Sequence, residues 1–136
     1  MARSIDPTRD SVKQLAQNVP SGVPVVMLNL LRFRSEAHYA PDMQQPARSG
    51  REAYAVYGRE IVPHLQQVGG KLIWQGEARH AFIAPPDEQW DEVLLVEYPS
   101  KDAFLSMLKS PAYQEITFHR TAALEDARLI VTTKQD

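Results

Sequence analysis

The chain has 136 residues, of which 43% are hydrophobic and 24% charged, values typical of one soluble globular domain. A formal net charge of −2, with no run of basic residues, argues against a nucleic acid or a membrane surface as partner. Cysteine is absent, which excludes disulfides, thiolate nucleophiles and cysteine-ligated metals. We see no apolar stretch long enough to span a membrane and no signal peptide, and we expect a cytoplasmic protein.

Residues 1–22 predict a leader helix ahead of the main domain. Asp6 suits the N-cap and Pro7 the first helical position, where the missing N–H costs nothing. Apolar residues then recur at helical spacing, and Pro20 and Gly22 end the pattern.

The first predicted strand runs from Val25 to Phe33, and both of its faces are apolar. Asn29 interrupts the face that also holds Met27 and Leu31. The polar segment 34–48 that follows is long for a small domain. It is interpreted either as a plain surface insertion or as a functional lid.

The middle of the chain alternates helix and strand signals. Ser49 and Glu52 form a capping box that opens a long helix, which Pro63 should kink or restart before Gly69 ends it. "KLIWQGEA" then reads as a strand that "HAFIA" extends past a bulge at Gly76.

The final third predicts a strand, helices and a last strand. "DEVLLVEY" is the third strand, and Ser100 caps the helix "KDAFLSMLKS". Ser110 and Pro111 open one further helix, "AYQEITFHRTAAL", and "ARLIVTT" is the fourth strand.

This order predicts a single α+β domain over residues 23–136, with the βαββαβ pattern of a ferredoxin-like fold. Helices cover one face of such a sheet, while Val26, Leu28 and Leu30 make the other face apolar as well. We therefore expect a homodimer in which two sheets pack face to face.

Two polar positions within apolar strands are candidates for function. Asn29 either bonds internally, usually to backbone or water, or donates its amide to a bound ligand. Glu97 needs a partner on its apolar face, and Arg32 is expected to supply it, as a structural pair or as part of a catalytic site.

No metal or cofactor motif is present in the sequence. The four histidines show no ligand spacing, and nucleophile-elbow, phosphate-loop and zinc-protease motifs are missing, so we expect neither metal nor cofactor. His119 is followed by Arg120 in the last helix, where both suit the helix dipole.

The segments "PVVMLNLLRFR", "SGREAYAVYGREIVPHLQQVGGKLIWQGEA" and "WDEVLLVEYPSKDAFLSMLKSPAYQEITFHRTAALEDARLI" resemble the bacterial domain-of-unknown-function 1330 family over residues 23–131. The resemblance implies a dimeric α+β barrel and no assigned activity. Within that wider superfamily, haem-degrading monooxygenases carry an asparagine, an aromatic residue and a histidine, and Asn29 and Tyr98 match the first two. The histidine position falls at Thr117, and His119 lies about 200° further round a helix, so the resemblance puts haem binding in doubt.

Two hypotheses remain open. In the first, a pocket between sheet and helices binds a small molecule, and the chain is an enzyme of the cofactor-independent monooxygenase kind or a binder. In the second, the chain is a non-catalytic homodimeric module. The pocket residues we expect for the first hypothesis, besides Met27 and Phe118, are Asn29, Arg32, Tyr98, Tyr113, His119 and Arg120.

Overall fold

A computed structural model describes residues 3–135 as a four-stranded antiparallel sheet with helices packed on one face. The strand order is β2-β3-β1-β4, with β1 paired to both β3 and β4. The α+β ferredoxin-like fold is therefore confirmed. The strands are β1 Val25–Phe33, β2 Lys71–Glu77, β3 Glu92–Tyr98 and β4 Leu124–Thr132.

Five helices accompany the sheet within the described part of the chain. They are α1 Arg9–Asn18, α2 Gly50–Val68, α3 Lys101–Lys109, α4 Pro111–Gln114 and α5 Thr117–Ala123, and a 3-10 turn spans Pro41–Met43.

Helix α1 begins later than the sequence predicts. Its N-cap is Thr8, in a reciprocal capping box with Ser11, and not Asp6. Asp6 instead accepts a hydrogen bond from the Thr121 hydroxyl at 2.9 Å. The predicted cap is wrong because a long-range contact uses that carboxylate.

Helix α2 opens on the predicted capping box, since the Ser49 hydroxyl accepts from the Glu52 N–H at 3.0 Å and the Glu52 carboxylate accepts from the Ser49 N–H at 2.8 Å. The prediction that Pro63 restarts the helix is wrong, because α2 continues to Val68. Proline has no N–H, so Pro63 cannot donate the usual helical hydrogen bond to the Arg59 carbonyl. Both residues are exposed, so water can bond that carbonyl instead.

Strand β2 ends at Glu77, so "HAFIA" is not part of it, and the irregular register lies between Leu72 and Trp74 rather than at Gly76. Gly76 has another role, since a Cβ there would lie 2.9 Å from the Trp74 indole nitrogen. The absence of a side chain lets the indole lie over the strand.

The predicted last helix is two helices. Around Ile116 the chain turns between α4 and α5, and the Thr117 hydroxyl donates to the Gln114 carbonyl at 3.0 Å. Helix α5 then passes directly into β4 at Leu124, which is fully buried, so the strand begins before "ARLIVTT". The break changes the direction of the chain. Ser110 and Pro111 mark only the start of α4, so they do not show where that helix ends.

The two faces of the sheet differ in cover. Val25, Met27 and Leu31 are almost fully buried beneath the helices. On the other face, named here the open face, Val26, Leu28 and Leu30 are half-buried, and Trp74 and Ile130 are exposed. This face carries apolar side chains that the described chain leaves accessible.

Candidate functional site

A cavity of about 1300 Å³ lies between the helix-facing side of the sheet and helices α2 and α3, with the N-terminal segment along one side. Met27, Asn29, Leu94 and Val96 form part of its floor. This volume exceeds the range of about 300–1,000 Å³ that is usual for small-molecule sites. The space is therefore ample for a drug-sized organic molecule.

Asn29 is the amide of the cavity floor, and it is 6% exposed. The antiparallel register places it between Leu94 and Leu129, so its strand neighbours are apolar. Its Nδ2 donates to the Met27 carbonyl at 3.3 Å, a long bond. Its Oδ1 accepts no hydrogen bond within the described chain and is not sealed in the interior, so this oxygen opens to the cavity.

Four tyrosines line the cavity, two of them from α2, one from α4 and one from β3. The hydroxyls of Tyr57 and Tyr113 lie 2.8 Å apart. Burial raises the pKa of Tyr54 to about 12, and it raises the pKa values of Tyr57, Tyr98 and Tyr113 as well. All four phenols are therefore neutral at physiological pH and can donate hydrogen bonds.

Tyr98 is the one of these tyrosines that is free to bond a ligand. It is 3% exposed and packs edge-on against Phe104, with ring centroids 5.1 Å apart. Within the described residues its hydroxyl has no partner, yet this oxygen is not sealed in the interior. The register puts Tyr98 opposite Val25, four residues along β1 from Asn29, so the Cα atoms of Tyr98 and Asn29 are about 14 Å apart.

Arg120 is the cation of the wall beside α5. Its guanidinium donates to the Ile5 carbonyl at 2.5 Å, and it lies 4.0 Å from the Asp6 carboxylate. It also counteracts the rise in the Tyr54 pKa. Much of its hydrogen-bonding capacity is thus used to hold the N-terminal segment.

Glu92 is a cavity residue that the sequence analysis did not single out. It is 9% exposed, and its Oε1 lies 3.8 Å from the Arg51 guanidinium. Burial raises the pKa of Glu92, while a hydrogen bond with Gln75 and the charge of Arg51 oppose the shift. The sequence does place Glu92 on this face, because alternate residues of a strand share one face and Glu92 follows Tyr98, Val96 and Leu94 in that series.

The N-terminal segment covers one side of the cavity. The Ser4 carbonyl accepts from the Ala127 N–H at 2.7 Å, and the Ser4 N–H donates to the Asp126 carboxylate at 2.9 Å. Lys101 fixes the end of α1, donating to the carbonyls of Ala16 and Val19 at 2.6 and 2.5 Å. Residues of α1 thereby contribute to the cavity wall.

Arg32 does not reach this cavity. It lies on the open face, opposite Asp126 in the register. The predicted Arg32–Glu97 pair is wrong, because the antiparallel register places Glu97 opposite Val26, at the other end of β1. Glu97 pairs with Lys71 instead, at 3.5 Å.

His119 is buried outside the cavity, whereas Thr117 lines it. The Nδ1 atom of His119 lies 2.7 Å from the Tyr39 hydroxyl, and Nε2 lies 3.4 Å from the Glu60 carboxylate. Burial lowers the pKa of His119, and Glu60 opposes the shift. Phe118, also expected in the pocket, packs on the His119 ring at 4.1 Å between centroids and does not line the cavity.

Segment 34–48 also lies outside the cavity, within the described part of the chain. It is tied to α5, because the Arg34 N–H donates to the Ala123 carbonyl at 2.9 Å and the His38 N–H donates to the Ala122 carbonyl at 2.9 Å. The interpretation of this segment as a lid finds no support, since the N-terminal segment occupies the place that a lid would take.

Across residues 3–135, no grouping of three or more His, Asp or Glu side chains has the arrangement of a metal site. No helix in that range combines the length and hydrophobicity that crossing a bilayer requires.

Comparison with known proteins yields a family and a fold. Residues 46–134 match the family model described as "Domain of unknown function (DUF1330)". A crystal structure of a protein of unknown function from Rhodopseudomonas palustris is 43% identical, with a TM-score of 0.89 and coverage of 99% of each chain. No curated protein matches the chain.

Two more distant structures share the fold alone. A dimeric protein of unknown function with a ferredoxin-like fold from Bacteroides fragilis is 12% identical, with a TM-score of 0.51 over 82% of this chain and 96% of that one. The hydroxynitrile lyase from Passiflora edulis is 14% identical, with a TM-score of 0.54 over 85% of this chain and 96% of that one.

Proposed function

We propose, from the premise that this chain belongs to the family described as domain of unknown function 1330, that its cavity binds a small, largely apolar molecule bearing hydroxyl or carbonyl oxygens. The family description assigns no activity, so the proposal comes from the cavity itself.

The observation that carries the proposal is the environment of Asn29. Leaving a buried polar group without good partners costs about 1–3 kcal/mol, and apolar side chains of similar shape would avoid that cost. Asn29 nevertheless stands among Met27, Leu94 and Leu129 with one long internal hydrogen bond and an oxygen facing the cavity. A ligand oxygen or hydroxyl at this point would complete its bonding.

The walls define the class of ligand. Apolar floor residues and aromatic rings favour a ring system, and neutral phenols such as Tyr98 donate to oxygen acceptors. Hydroxylated aromatic ketones and quinones combine both features.

The enzymatic form of this proposal is cofactor-independent monooxygenation. An ionised substrate would supply all four electrons to O₂. It loses two hydrogen atoms and gains one oxygen atom as a carbonyl, and the other oxygen atom leaves with those hydrogens as water. The protein would bind the substrate, exclude water and stabilise the anion with neutral donors. The second Nδ2–H of Asn29 or the hydroxyl of Tyr98 is suited to that last task, since each is a neutral donor.

We also propose a homodimer that covers the open face. The face presents Leu28, Leu30, Trp74 and Ile130, and a second copy of the same sheet would bury them. The Bacteroides fragilis protein with this fold is described as dimeric. The open face also favours the alternative function, because an apolar sheet surface is suited to dimerisation whether or not the cavity binds a ligand. In this alternative the chain is a non-catalytic homodimeric module, and its buried polar residues only stabilise the fold and the interface.

Thermal-shift measurements with hydroxylated aromatic ketones, quinones, short aldehydes and carboxylates test the proposal. Asn29→Ala should weaken the shift caused by a ligand, because it removes the polar group of the floor. Gln45→Ala is the matched control, since its amide makes the same kind of bond to a carbonyl two residues earlier, that of Met43, but on an exposed loop.

The outcomes separate the two functions. Binding requires a ligand-induced shift in the wild type that falls in Asn29→Ala and persists in Gln45→Ala. If Asn29→Ala lowers the unliganded Tm but leaves every ligand shift intact, or if no ligand class shifts the wild type, the structural module is the better account. Sedimentation of a well-folded monomer at micromolar concentration would refute the homodimer.

A further inference from the structure

We infer that Glu92 is the proton acceptor of the cavity and that the ligand presents an acidic hydroxyl, phenolic or enolic, to it. This inference rests on the proposed function and adds the substrate class and the residue that exchanges its proton.

The first reason is position. Glu92 lies opposite Leu31 and Asn29 lies opposite Leu94, so the two polar residues are diagonal neighbours on adjacent strands and share the helix-facing side. Diagonal neighbours of this kind have Cα atoms about 7–8 Å apart. One ligand can therefore reach the Asn29 amide with one oxygen and the Glu92 carboxylate with another.

The second reason is that the charge of Glu92 is compensated mainly by a neutral partner, the Gln75 side chain, and by a cation that is not in close contact. The Arg51 guanidinium, the cation facing it from α2, is 3.8 Å away on a side chain that is 54% exposed. Glu77 on β2 and Asp91, the residue before β3, add negative charge nearby, and Tyr54 on α2 also faces Glu92. A carboxylate in this setting gains from a strong hydrogen-bond donor, and a ligand hydroxyl is such a donor.

The third reason is chemical suitability. Burial raises the pKa of Glu92 above its ordinary value, which makes its carboxylate a stronger proton acceptor. The other acidic residue of the cavity lining, Asp6, is mostly exposed and already accepts from Thr121. His119, the usual residue for proton exchange, lies outside the cavity.

The proton step balances within the site. The ligand O–H bond breaks, the proton passes to the Glu92 carboxylate, and the electron pair stays on the ligand oxygen. The resulting phenolate or enolate accepts a hydrogen bond from the protonated Glu92, and the other ligand oxygen lies beside the Asn29 amide. Return of the proton from Glu92 regenerates the carboxylate.

The test compares 2-naphthol with naphthalene, two probes that differ by one hydroxyl. 2-Naphthol becomes strongly acidic when excited by light, so emission from its anion reports a proton acceptor in hydrogen-bond contact. Emission and affinity are measured with protein in excess, on the wild type and on Glu92→Gln. Glu77→Gln serves as the matched control, because it removes the same charge from a neighbouring position that does not line the cavity.

We expect the wild type and Glu77→Gln to bind 2-naphthol with anion emission. Glu92→Gln should bind with emission from the neutral form, and its preference for 2-naphthol over naphthalene should fall about tenfold, since a charge-assisted hydrogen bond becomes a neutral one. In the wild type this preference should fall as the pH drops through the raised pKa of Glu92, and it should be independent of pH in Glu92→Gln.

The outcomes distinguish this inference from the proposed function. If both probes bind but Glu92→Gln keeps the anion emission and the preference for 2-naphthol, the inference is wrong and the binding proposal stands. If neither probe binds the wild type in the cavity, the proposed function fails and the inference fails with it.

Discussion

Replacing Gly50 with alanine should destabilise the fold at the junction that positions the helix side of the cavity. A Cβ at Gly50 would lie 2.2 Å from the Arg34 carbonyl oxygen, 2.5 Å from the Ala123 carbonyl oxygen and 2.7 Å from the Arg34 nitrogen. All three are backbone atoms, so no side-chain rotation relieves the contact. Ordinary contact begins near 3.4 Å, so the backbone must retreat by about 1.2 Å, the difference between 3.4 and 2.2 Å.

The expected cost follows from that displacement. Overpacking a well-packed site costs about 1–3 kcal/mol, and contacts made entirely with backbone place Gly50→Ala near 3 kcal/mol. For a domain of 136 residues, a loss of this size corresponds to a fall in Tm of about 10 °C.

Gly58→Ala on the same helix provides the control. A Cβ there has nothing within 4 Å, so the substitution should stabilise α2 by up to about 1 kcal/mol through helix propensity. Differential scanning calorimetry of both variants checks the pair. A Gly50→Ala protein as stable as the wild type, or as stable as Gly58→Ala, would refute the packing described for this junction.

Three further predictions follow from single contacts. Lys101→Met should accelerate tryptic cleavage within α1, because the two hydrogen bonds that fix the end of this helix are lost. An unchanged cleavage rate would contradict the proposed anchoring by Lys101. Tyr113→Phe should lower the free energy of unfolding in urea by about 1–2 kcal/mol, because it leaves the buried Tyr57 hydroxyl without its partner, and a loss near zero would contradict the pairing. Glu92→Gln should be more stable than the wild type at pH 8, since a carboxyl group with a raised pKa disfavours the folded state above that pKa. This stability advantage should disappear near pH 4. An advantage that grows on acidification would show that folding lowers the pKa of Glu92 instead.

Local signals in the sequence predicted much of the fold. The bounds of β1, Val25–Phe33, are those of the apolar run, and Ser49 and Ser100 cap the helices that follow them. These features depend on neighbouring residues, so they are legible without tertiary contacts. The order of elements then suffices for the ferredoxin-like pattern.

The failures in the fold have long-range causes. Asp6 looked like a helix cap, but a hydroxyl 115 residues away takes its carboxylate. "HAFIA" has strand composition, yet it lies beyond the last residue that pairs with β3, and Phe82 and Ile83 are 87% and 90% exposed. Composition cannot show where pairing with a neighbouring strand ends.

The candidate site was predicted in part. Asn29, Tyr98, Tyr113 and Arg120 line one cavity, while Arg32 and His119 do not. Arg32 was included because it was expected to pair with Glu97, although alternation along β1 places it on the opposite face from Asn29. The register between β1 and β3 excludes that pair, and register is a tertiary property that the sequence does not show.

The N-terminal cover of the cavity was not foreseen. Its anchor is the hydrogen bond from Ser4 to Asp126, across 122 residues, and no local pattern indicates such a contact. Glu92, by contrast, could have been found by extending the alternation of β3 by one more step.

The most direct test of the account is an NMR titration of the isotope-labelled protein with 2-naphthol, following the side-chain amide of Asn29. The account predicts that this signal shifts, together with signals of Tyr54, while those of His119 stay unchanged. Shifts confined to Trp74 and the rest of the open face, or no saturable shift at Asn29, would contradict the claim that this cavity is the binding site.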